Sequence, residues 1–147
     1  MKHLQKCWAL IVILALSTGC ATGPKFGDTT QTILPLNPAQ GRIFIYRVEP
    51  AAAFLRPDVM LNAEKVGDAI ALGFFYVDRP PGAYEIVTTT EVKKSLSFML
   101  EPGQTRFVRL NVSVGLLVGH IYPEAVTPLI GEIQLKQCSY TGNITGK

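Results

Sequence analysis

Histidine and cysteine are scarce in this sequence, which limits the chemistry that the protein can perform. The 147 residues include two histidines and three cysteines. His3 and Cys7 lie in an N-terminal hydrophobic stretch and Cys20 directly follows it, so only His120 and Cys138 belong to the body of the chain. A zinc site needs several closely spaced thiolates or imidazoles. We therefore expect no metal site and no cofactor.

Sequence patterns for nucleotides and nucleic acids are lacking as well. The 13 glycines match neither the phosphate-binding loop nor the dinucleotide fingerprint, and no Gly-x-Ser-x-Gly elbow is present. The net charge of +3 includes Lys2 and Lys6, and without them 12 basic residues stand against 11 acidic ones. Such a balance offers no broad basic field, so we expect no nucleic-acid partner and no enzymatic activity.

We consider two small groups of polar residues as metal ligands. His120 and Glu124 are four residues apart, but Pro123 between them argues against the helix that would place both on one face. Asp58, Asp68 and Asp78 lie on predicted turns, and Ca²⁺ takes roughly six to eight oxygen ligands from a clustered loop. We interpret His120 as a strand-end residue with a local hydrogen bond and the three aspartates as solvated turn residues.

The first twenty residues have the three-part plan of a secretory signal. Lys2 and Lys6 give a positive start, residues 8–16 (WALIVILAL) are all apolar, and small residues follow. The apolar run is too short to cross a bilayer, which takes about 20 apolar residues. We predict a signal helix and a signal peptide over residues 1–19. A buried N-terminal helix is the alternative, and the absence of alternating polar residues disfavours it.

The residues that end this stretch, Leu16-Ser17-Thr18-Gly19-Cys20, resemble the bacterial lipobox. In that signal, small residues precede a cysteine whose sulfur receives a diacylglyceryl group. Ser17 occupies a position where leucine is usual and serine is tolerated. The resemblance implies that Cys20 is the lipidation site. Fatty acids such as palmitate, attached there, would form the membrane anchor. Ordinary cleavage nearby, which would release a soluble protein, is the alternative.

The residue after the cysteine bears on the compartment. In Gram-negative lipoproteins an aspartate at this position favours retention in the inner membrane, and here the residue is Ala21. The resemblance therefore implies the outer membrane, with the protein facing the periplasm. Stable anchoring takes more than one acyl chain, which a multiply acylated Cys20 provides.

The mature chain divides into a tether, one domain and a tail. Residues 20–40 are rich in Thr, Gly, Pro and Asn and predict a tether, although Ile33, Leu34 and Leu36 are available to pack on the domain. Residues 41–138 hold the domain, and residues 139–147 form a polar tail. Strand-like segments are 42–48, 59–62, 66–68, 73–77, 83–90, 95–101, 105–114 and a last one containing Ile133 and Leu135.

This pattern predicts an all-β fold. Clean alternation in residues 95–101 and 105–114 indicates strands with one buried face, and Pro-Gly pairs separate several segments. We expect a single β-sandwich of about seven or eight short antiparallel strands, with a partly open barrel as the alternative. Gly82 and Gly103 are expected in tight turns, with positive φ at one or both.

Several motifs occur together within residues 42–135. They are an opening strand Ile43–Arg47, a hairpin that ends in Val66-Gly67, the pattern Pro81-Gly82-x-Tyr84-x-Ile86, and Pro102-Gly103-Gln104-Thr105-x-Phe107-Val108. As a set they resemble a family of small bacterial lipoproteins with a prealbumin-like β-sandwich domain of unknown function. The resemblance implies a fold and an envelope compartment, and it supplies no catalytic residues.

The clearest sign of a binding surface is aromatic. Phe74, Phe75 and Tyr76 are consecutive, so a strand must direct them to alternate faces. An exposed aromatic strip suits a protein or glycan partner; the alternative is that both sheet faces are covered there. We expect a lipid-anchored, non-catalytic binding protein. The alternatives are a structural accessory subunit of an envelope complex and, less favoured, a hydrolase.

The remaining cysteine is expected at the end of the last strand. By alternation from Ile133 and Leu135, Cys138 points outward, and an outward thiol in an oxidising compartment is available for an intermolecular disulfide. A buried core position is a nearly equal alternative, because cysteine is among the most buried residue types.

We predict that Cys20→Ser abolishes fatty-acid labelling and membrane association, because the serine hydroxyl does not replace the acylated sulfur. Metabolic labelling with an alkynyl fatty acid, followed by flotation of membranes, measures both effects. Undiminished labelling of the variant would refute the assignment of Cys20.

Overall fold

The computed structural model describes residues 19–30, 32–90, 94–114 and 119–142. The predicted signal helix lies outside these residues. Within them the chain forms nine strands and two short helices: α1 (Phe26–Thr29), β1 (Gly41–Arg47), β2 (Asp58–Leu61), β3 (Glu64–Asp68), β4 (Gly73–Arg79), β5 (Gly82–Thr88), β6 (Ser95–Leu100), β7 (Thr105–Val114), β8 (Gly119–Val126), α2 (Pro128–Leu135) and β9 (Ser139–Tyr140). No helix in the described ranges has the length and apolar character needed to cross a membrane.

The strands form two sheets, which confirms the predicted all-β sandwich. The five-stranded sheet has the order β8-β7-β1-β4-β9, and the four-stranded sheet has the order β3-β2-β5-β6. Two pairs depart from the expected antiparallel arrangement, because β1 runs parallel to β7 and β4 runs parallel to β9. Strands β8 and β9 are not among the predicted strand segments, and β9 consists of two residues that were assigned to the polar tail.

The core between the sheets comes from alternate residues of both. It consists of Ile43, Ile45, Val59, Leu61, Ala69, Phe75, Ile86, Leu100, Val108, Leu110 and Ile121. Leu96 and Phe98 of β6 pack against this core, as the alternation of that strand predicted. Pro123 is tolerated within β8 because β8 lies at a sheet edge.

Turns with positive φ connect several strands. Asn62 and Ala63 link β2 to β3 with φ of 46° and 66°, the left-handed backbone that suits the right-handed twist of a two-residue hairpin. Gly103 has a φ of +69°, as predicted for at least one Pro-Gly turn. Gly82, at +158°, is close to extended backbone.

The outer face of the five-stranded sheet carries a second apolar cluster, which α2 and Phe26 cover. Its buried members are Phe44, Tyr46, Phe74, Phe107, Leu135 and Cys138. Helix α2 approaches the sheet closely at Gly131, where a Cβ would lie 2.4 Å from the Phe107 ring. The Tyr46 hydroxyl donates a hydrogen bond to Gln134 Oε1 at 2.7 Å and so ties β1 to the helix.

The predicted last strand is wrong, because residues 128–135 are helical. Pro128 occupies the first turn of the helix, where its missing N–H costs nothing. Ile133 and Leu135 then fall on different sides of the helix: Ile133 is 54% exposed and Leu135 is fully buried. Two residues apart, side chains share a face in a strand but not in a helix.

The expected outward direction of Cys138 is wrong for the same reason. The chain turns after α2, where Cys138 N donates to Leu135 O at 2.9 Å, and the thiol has no exposed surface. The thiol lies 3.7 Å from the carbonyl oxygens of Arg47 and Gln134. Burial raises the pKa of Cys138 to about 12. The buried Cys138 thiol is therefore not accessible for the predicted intermolecular disulfide.

The first part of the predicted tether contacts the domain along the β9 edge. Three backbone hydrogen bonds hold it: Ala21 N to Ala71 O at 2.9 Å, Tyr140 N to Pro24 O at 2.8 Å, and Phe26 N to Cys138 O at 3.1 Å. Ile33 packs against the outer cluster, whereas Leu34 is 74% exposed. Residues 19–30 therefore lie on the domain surface.

We predict that Cys138, in protein of mature length (residues 20–147) that carries Cys20→Ser, reacts with a maleimide only after denaturation. Its raised pKa keeps the thiol protonated as the pH rises from 7 to 9, so native reactivity stays low over that range. Mass spectrometry of the labelled protein, with and without urea, measures this. Rapid labelling of the native protein would show that the thiol is accessible.

Candidate functional site

The predicted aromatic strip, Phe74 to Tyr76, is not exposed to solvent as a surface. Phe75 points into the core between the sheets and is 4% exposed, while Phe74 points to the outer face and is fully buried. Tyr76, also on the outer face, is partly buried; its ring lies 4.5 Å from the Arg42 guanidinium and 6.2 Å from the Tyr140 ring. Both faces of β4 are covered, so these side chains are packing residues.

A different set of aromatic residues lines a groove on the outer face. The groove has a volume of about 530 Å³ and is lined by Phe26, Phe44, Thr105, Phe107, Pro128, Glu132 and Lys136. The rings of Phe44 and Phe107 are stacked, with centroids 5.5 Å apart and planes 13° from parallel. Phe26 meets Phe44 edge-on at 5.9 Å. The groove thus has an apolar base, although its rings present little surface, since Phe44 is 7% and Phe107 is 5% exposed; Glu132 and Lys136 are among its other lining residues.

Helix α2, which forms one wall of the groove, also presents apolar side chains to solvent. Leu129 is 70% exposed, Ile130 is 43% exposed and Ile133 is 54% exposed. Three large aliphatic side chains on one eight-residue helix form a contiguous apolar surface, which on a soluble domain marks a contact site more often than scattered exposed residues do. We refer to Leu129, Ile130 and Ile133 as the α2 face.

The polar residues considered as metal ligands are engaged in separate ion pairs. Lys65 Nζ contacts Asp58 at 2.7 Å and Asp68 at 2.9 Å, whereas Asp78 pairs with Arg42 at 2.7 Å. The two carboxylates raise the pKa of Lys65 to about 12. All three aspartates lie in strands, so their predicted position in turns is wrong. Only Asp58 and Asp68 lie together. In the described part of the chain, no three histidine, cysteine or acidic side chains form a metal cluster.

His120 lies at the start of strand β8, as predicted, and it does not share a site with Glu124. Glu124 is paired with Arg109 at 2.7 Å and accepts a hydrogen bond from Asn111. These two contacts, with Arg109 the larger cause, lower the pKa of Glu124. The Nδ1 atom of His120 is buried and has no hydrogen-bond partner within the described residues, so the predicted local hydrogen bond is not seen at that atom.

Cys20 and the groove lie toward opposite ends of the sandwich. Cys20 forms a parallel bridge with Ala71, close to Gly73, which pairs with Arg47 at the end of β1. Thr105, at the groove, pairs with Arg42 near the start of β1. The candidate lipid attachment point thus lies beyond the Arg47 end of β1, whereas the groove extends from the Arg42 end to Phe44 in the middle of the strand.

A family model matches residues 37–120, which is more than half of the chain. That model is DUF2846, a family of proteins of unknown function. The chain belongs to this family. The resemblance to a lipoprotein family with a domain of unknown function is thereby confirmed as far as the domain. No curated protein and no solved structure matches the chain.

The DUF2846 match leaves out much of the groove. It contains Phe44, Thr105 and Phe107, but Phe26 precedes it, and α2 and β9 follow it. The aromatic base of the groove therefore belongs to the DUF2846 domain, and the walls come from segments on either side of it.

Sequence reasoning missed the groove because its residues are far apart in the chain. Phe26, Phe44 and Phe107 carry no shared motif, and only the fold brings them together. One local signal was available: Thr127-Pro128 is a helix start, and Leu129, Ile130 and Ile133 share a face only if the segment is helical.

We predict that Phe26→Ala lowers the free energy of unfolding by about 1–3 kcal/mol, because the ring contacts Phe44 and Phe74 in a partly buried site. The same change should expose the bond after Lys25 to trypsin, since that segment loses its apolar contact. Urea unfolding and limited proteolysis measure the two effects.

The matched control is Phe54→Ala. Phe54 is 86% exposed, so its removal should change stability by no more than about 0.5 kcal/mol. If Phe26→Ala leaves the trypsin cleavage rate unchanged, the ring does not hold the N-terminal segment.

Proposed function

We propose that this chain is a lipid-anchored bacterial envelope protein whose β-sandwich is a non-catalytic binding module for a protein partner. In this proposal residues 1–19 are the signal peptide, Cys20 carries the lipid, and the domain faces the periplasm from the outer membrane. The observation that carries the binding role is the aromatic groove together with the apolar α2 face beside it. The leader and the Leu16–Cys20 pattern support the anchor.

The chemistry of this surface favours a protein segment over a glycan. Phe44 and Phe107 have no polar group, and Leu129 and Ile133 add aliphatic surface. Protein interfaces combine such an apolar centre with a polar rim, and here Glu132 and Lys136 supply charges of both signs. A glycan site needs hydrogen-bonding side chains around the rings, and three of the seven lining residues, Thr105, Glu132 and Lys136, are of that kind, whereas the other four are apolar. A glycan ligand is therefore the second candidate.

The non-catalytic character rests on the inventory of side chains. His120 is the one imidazole that remains after removal of the leader. Glu124, its neighbour along the same strand, is already paired with Arg109 and Asn111. The groove itself contains Glu132 and Lys136 but no nucleophile with an adjacent base.

We predict that charging the α2 face abolishes partner binding. A photo-crosslinking amino acid at Ile130, in the lipidated protein within cells, should give a discrete crosslinked protein band. The double substitution Leu129→Lys and Ile133→Lys should remove that band, because burying two uncompensated ammonium groups is unfavourable. Both side chains are exposed, so the domain should still fold.

The control is Met99→Lys. Met99 is 58% exposed and lies on β6 of the other sheet, so its replacement should leave the crosslink intact. An Ile130 crosslink that persists in the double variant would contradict the proposed surface. If the photo-crosslinking amino acid at position 130 instead reacts with added purified glycans and no protein band forms, the glycan alternative holds. Quantitative, one-to-one recovery with a single protein would identify an accessory subunit.

A further inference from the structure

The loop between β1 and β2 is unusually apolar for an exposed connection. Residues 50–55 read Pro-Ala-Ala-Ala-Phe-Leu. Phe54 is 86% exposed, and Ala51 is exposed as well, whereas Leu55 packs against the core between the sheets. Loops run over the surface and are usually polar. The loop therefore presents an aromatic side chain that the described residues leave 86% exposed and available for a contact.

A buried arginine holds this loop in place. Arg47 has no exposed surface, and its guanidinium donates hydrogen bonds to the carbonyl oxygens of Leu55 at 2.8 Å and Ala52 at 3.0 Å, and to that of Ala51. A further bond to Ala69 O at 3.0 Å joins the loop to the β3–β4 connection.

The hydrogen bonds of Arg47 stabilise the loop backbone on either side of Phe54. Burial of a guanidinium is costly and is offset here by bonds to backbone carbonyls. Ala52 has a φ of +51°, a left-handed backbone that is unfavourable for alanine and is retained while its carbonyl is held. These hydrogen bonds thus hold the backbone of the loop in the conformation in which Phe54 is 86% exposed.

The candidate lipid attachment point lies against this loop. A Cβ at position 19 would be 2.8 Å from the Cβ of Ala53, and signal cleavage removes Gly19, so the amino group of Cys20 is left beside the loop. The Cys20 segment is itself fixed, because Ala21 N donates to Ala71 O at 2.9 Å. An acyl chain on Cys20 therefore starts at the same end of the sandwich as Phe54, with little free chain between lipid and domain.

We propose that residues 50–55 form the membrane-contacting edge of the domain, with Phe54 inserted at the boundary between lipid headgroups and acyl chains beside the lipid on Cys20. This inference rests on the lipid attachment proposed above. An aliphatic and aromatic loop inserts into that boundary by burying apolar area, and the covalent acyl chains keep it at the surface. The orientation places the groove, which lies toward the other end of β1, away from the membrane and open to a periplasmic partner.

The sequence offers a clean optical test. The one tryptophan of the chain is Trp8 in the leader, so the mature protein has none. Phe54→Trp therefore introduces a single reporter at the proposed edge, and Met99→Trp introduces a matched reporter at an exposed site of β6. The full chain is expressed with its leader and reconstituted into vesicles of phosphatidylethanolamine and phosphatidylglycerol, with and without brominated acyl chains. Flotation measures anchoring, and tryptophan emission measures contact with lipid.

We expect both variants to float with the vesicles. The emission of the Phe54→Trp protein should shift to shorter wavelength and be quenched several-fold more by brominated lipid than that of the Met99→Trp protein. Flotation with equal or no quenching at the two sites would overturn the membrane edge and leave the anchor intact. Absence of flotation in both variants would overturn the anchor and this inference together.

A second copy of the chain is the alternative contact for Phe54 and its loop. Lipid-free protein of mature length, residues 20–147, in which Cys20→Ser is combined with Phe54→Trp, distinguishes it, because Trp8 is then absent. A wavelength shift that grows with protein concentration in the absence of vesicles would show that Phe54 contacts another copy, and it would overturn the membrane assignment. Unchanged emission over that range supports the bilayer as the contact.

Discussion

The burial of strand β1 on both of its faces is the constraint on which the rest of the structure depends. All seven of its residues are buried. Ile43 and Ile45 pack between the sheets, which any sandwich provides. Phe44 and Tyr46 point outward, and a two-layer sandwich leaves that side open to water. Helix α2 and Phe26 supply the missing third layer, and the groove is a recess in this layer above the buried rings of Phe44 and Phe107.

The sequence was sufficient for the features that depend on local periodicity. Alternation in β6 and β7 indicated two-faced strands, and the packing of Leu96, Leu100 and Val108 agrees with it. It was insufficient for residues 128–135, where polar and apolar residues also alternate over a short stretch. Eight residues fit a period of two as well as a helical period. The helix start at Pro128 was the informative signal, and the alternation of Ile133 and Leu135 was misleading.

The aromatic residues illustrate a second limit. The sequence correctly implies that Phe74 and Phe75 point to opposite sides of β4, because that follows from strand geometry. It does not say what covers each side, since the covering groups, Phe26 and Leu135, are distant in the chain and were assigned to a tether and a strand. Cys138 was misplaced for the same reason: its burial depends on the turn after α2 and on the end of β1.

The contacts of Phe26 and Leu135 with the outer face of the five-stranded sheet determine how much of the chain the folded domain includes. A fragment limited to the DUF2846 match, residues 37–120, would keep most of the core between the sheets, but it would lose Ile121 with most of β8, and also Phe26, α2 and β9. The outward rings of Phe44, Phe74 and Phe107 would then face water, at a cost of roughly 1.5–3 kcal/mol for each fully exposed ring. The segment that follows Cys20 is therefore part of the domain. It pairs with β9 on the way from Cys20 to Phe26, so it connects the proposed lipid attachment point directly to a wall of the groove.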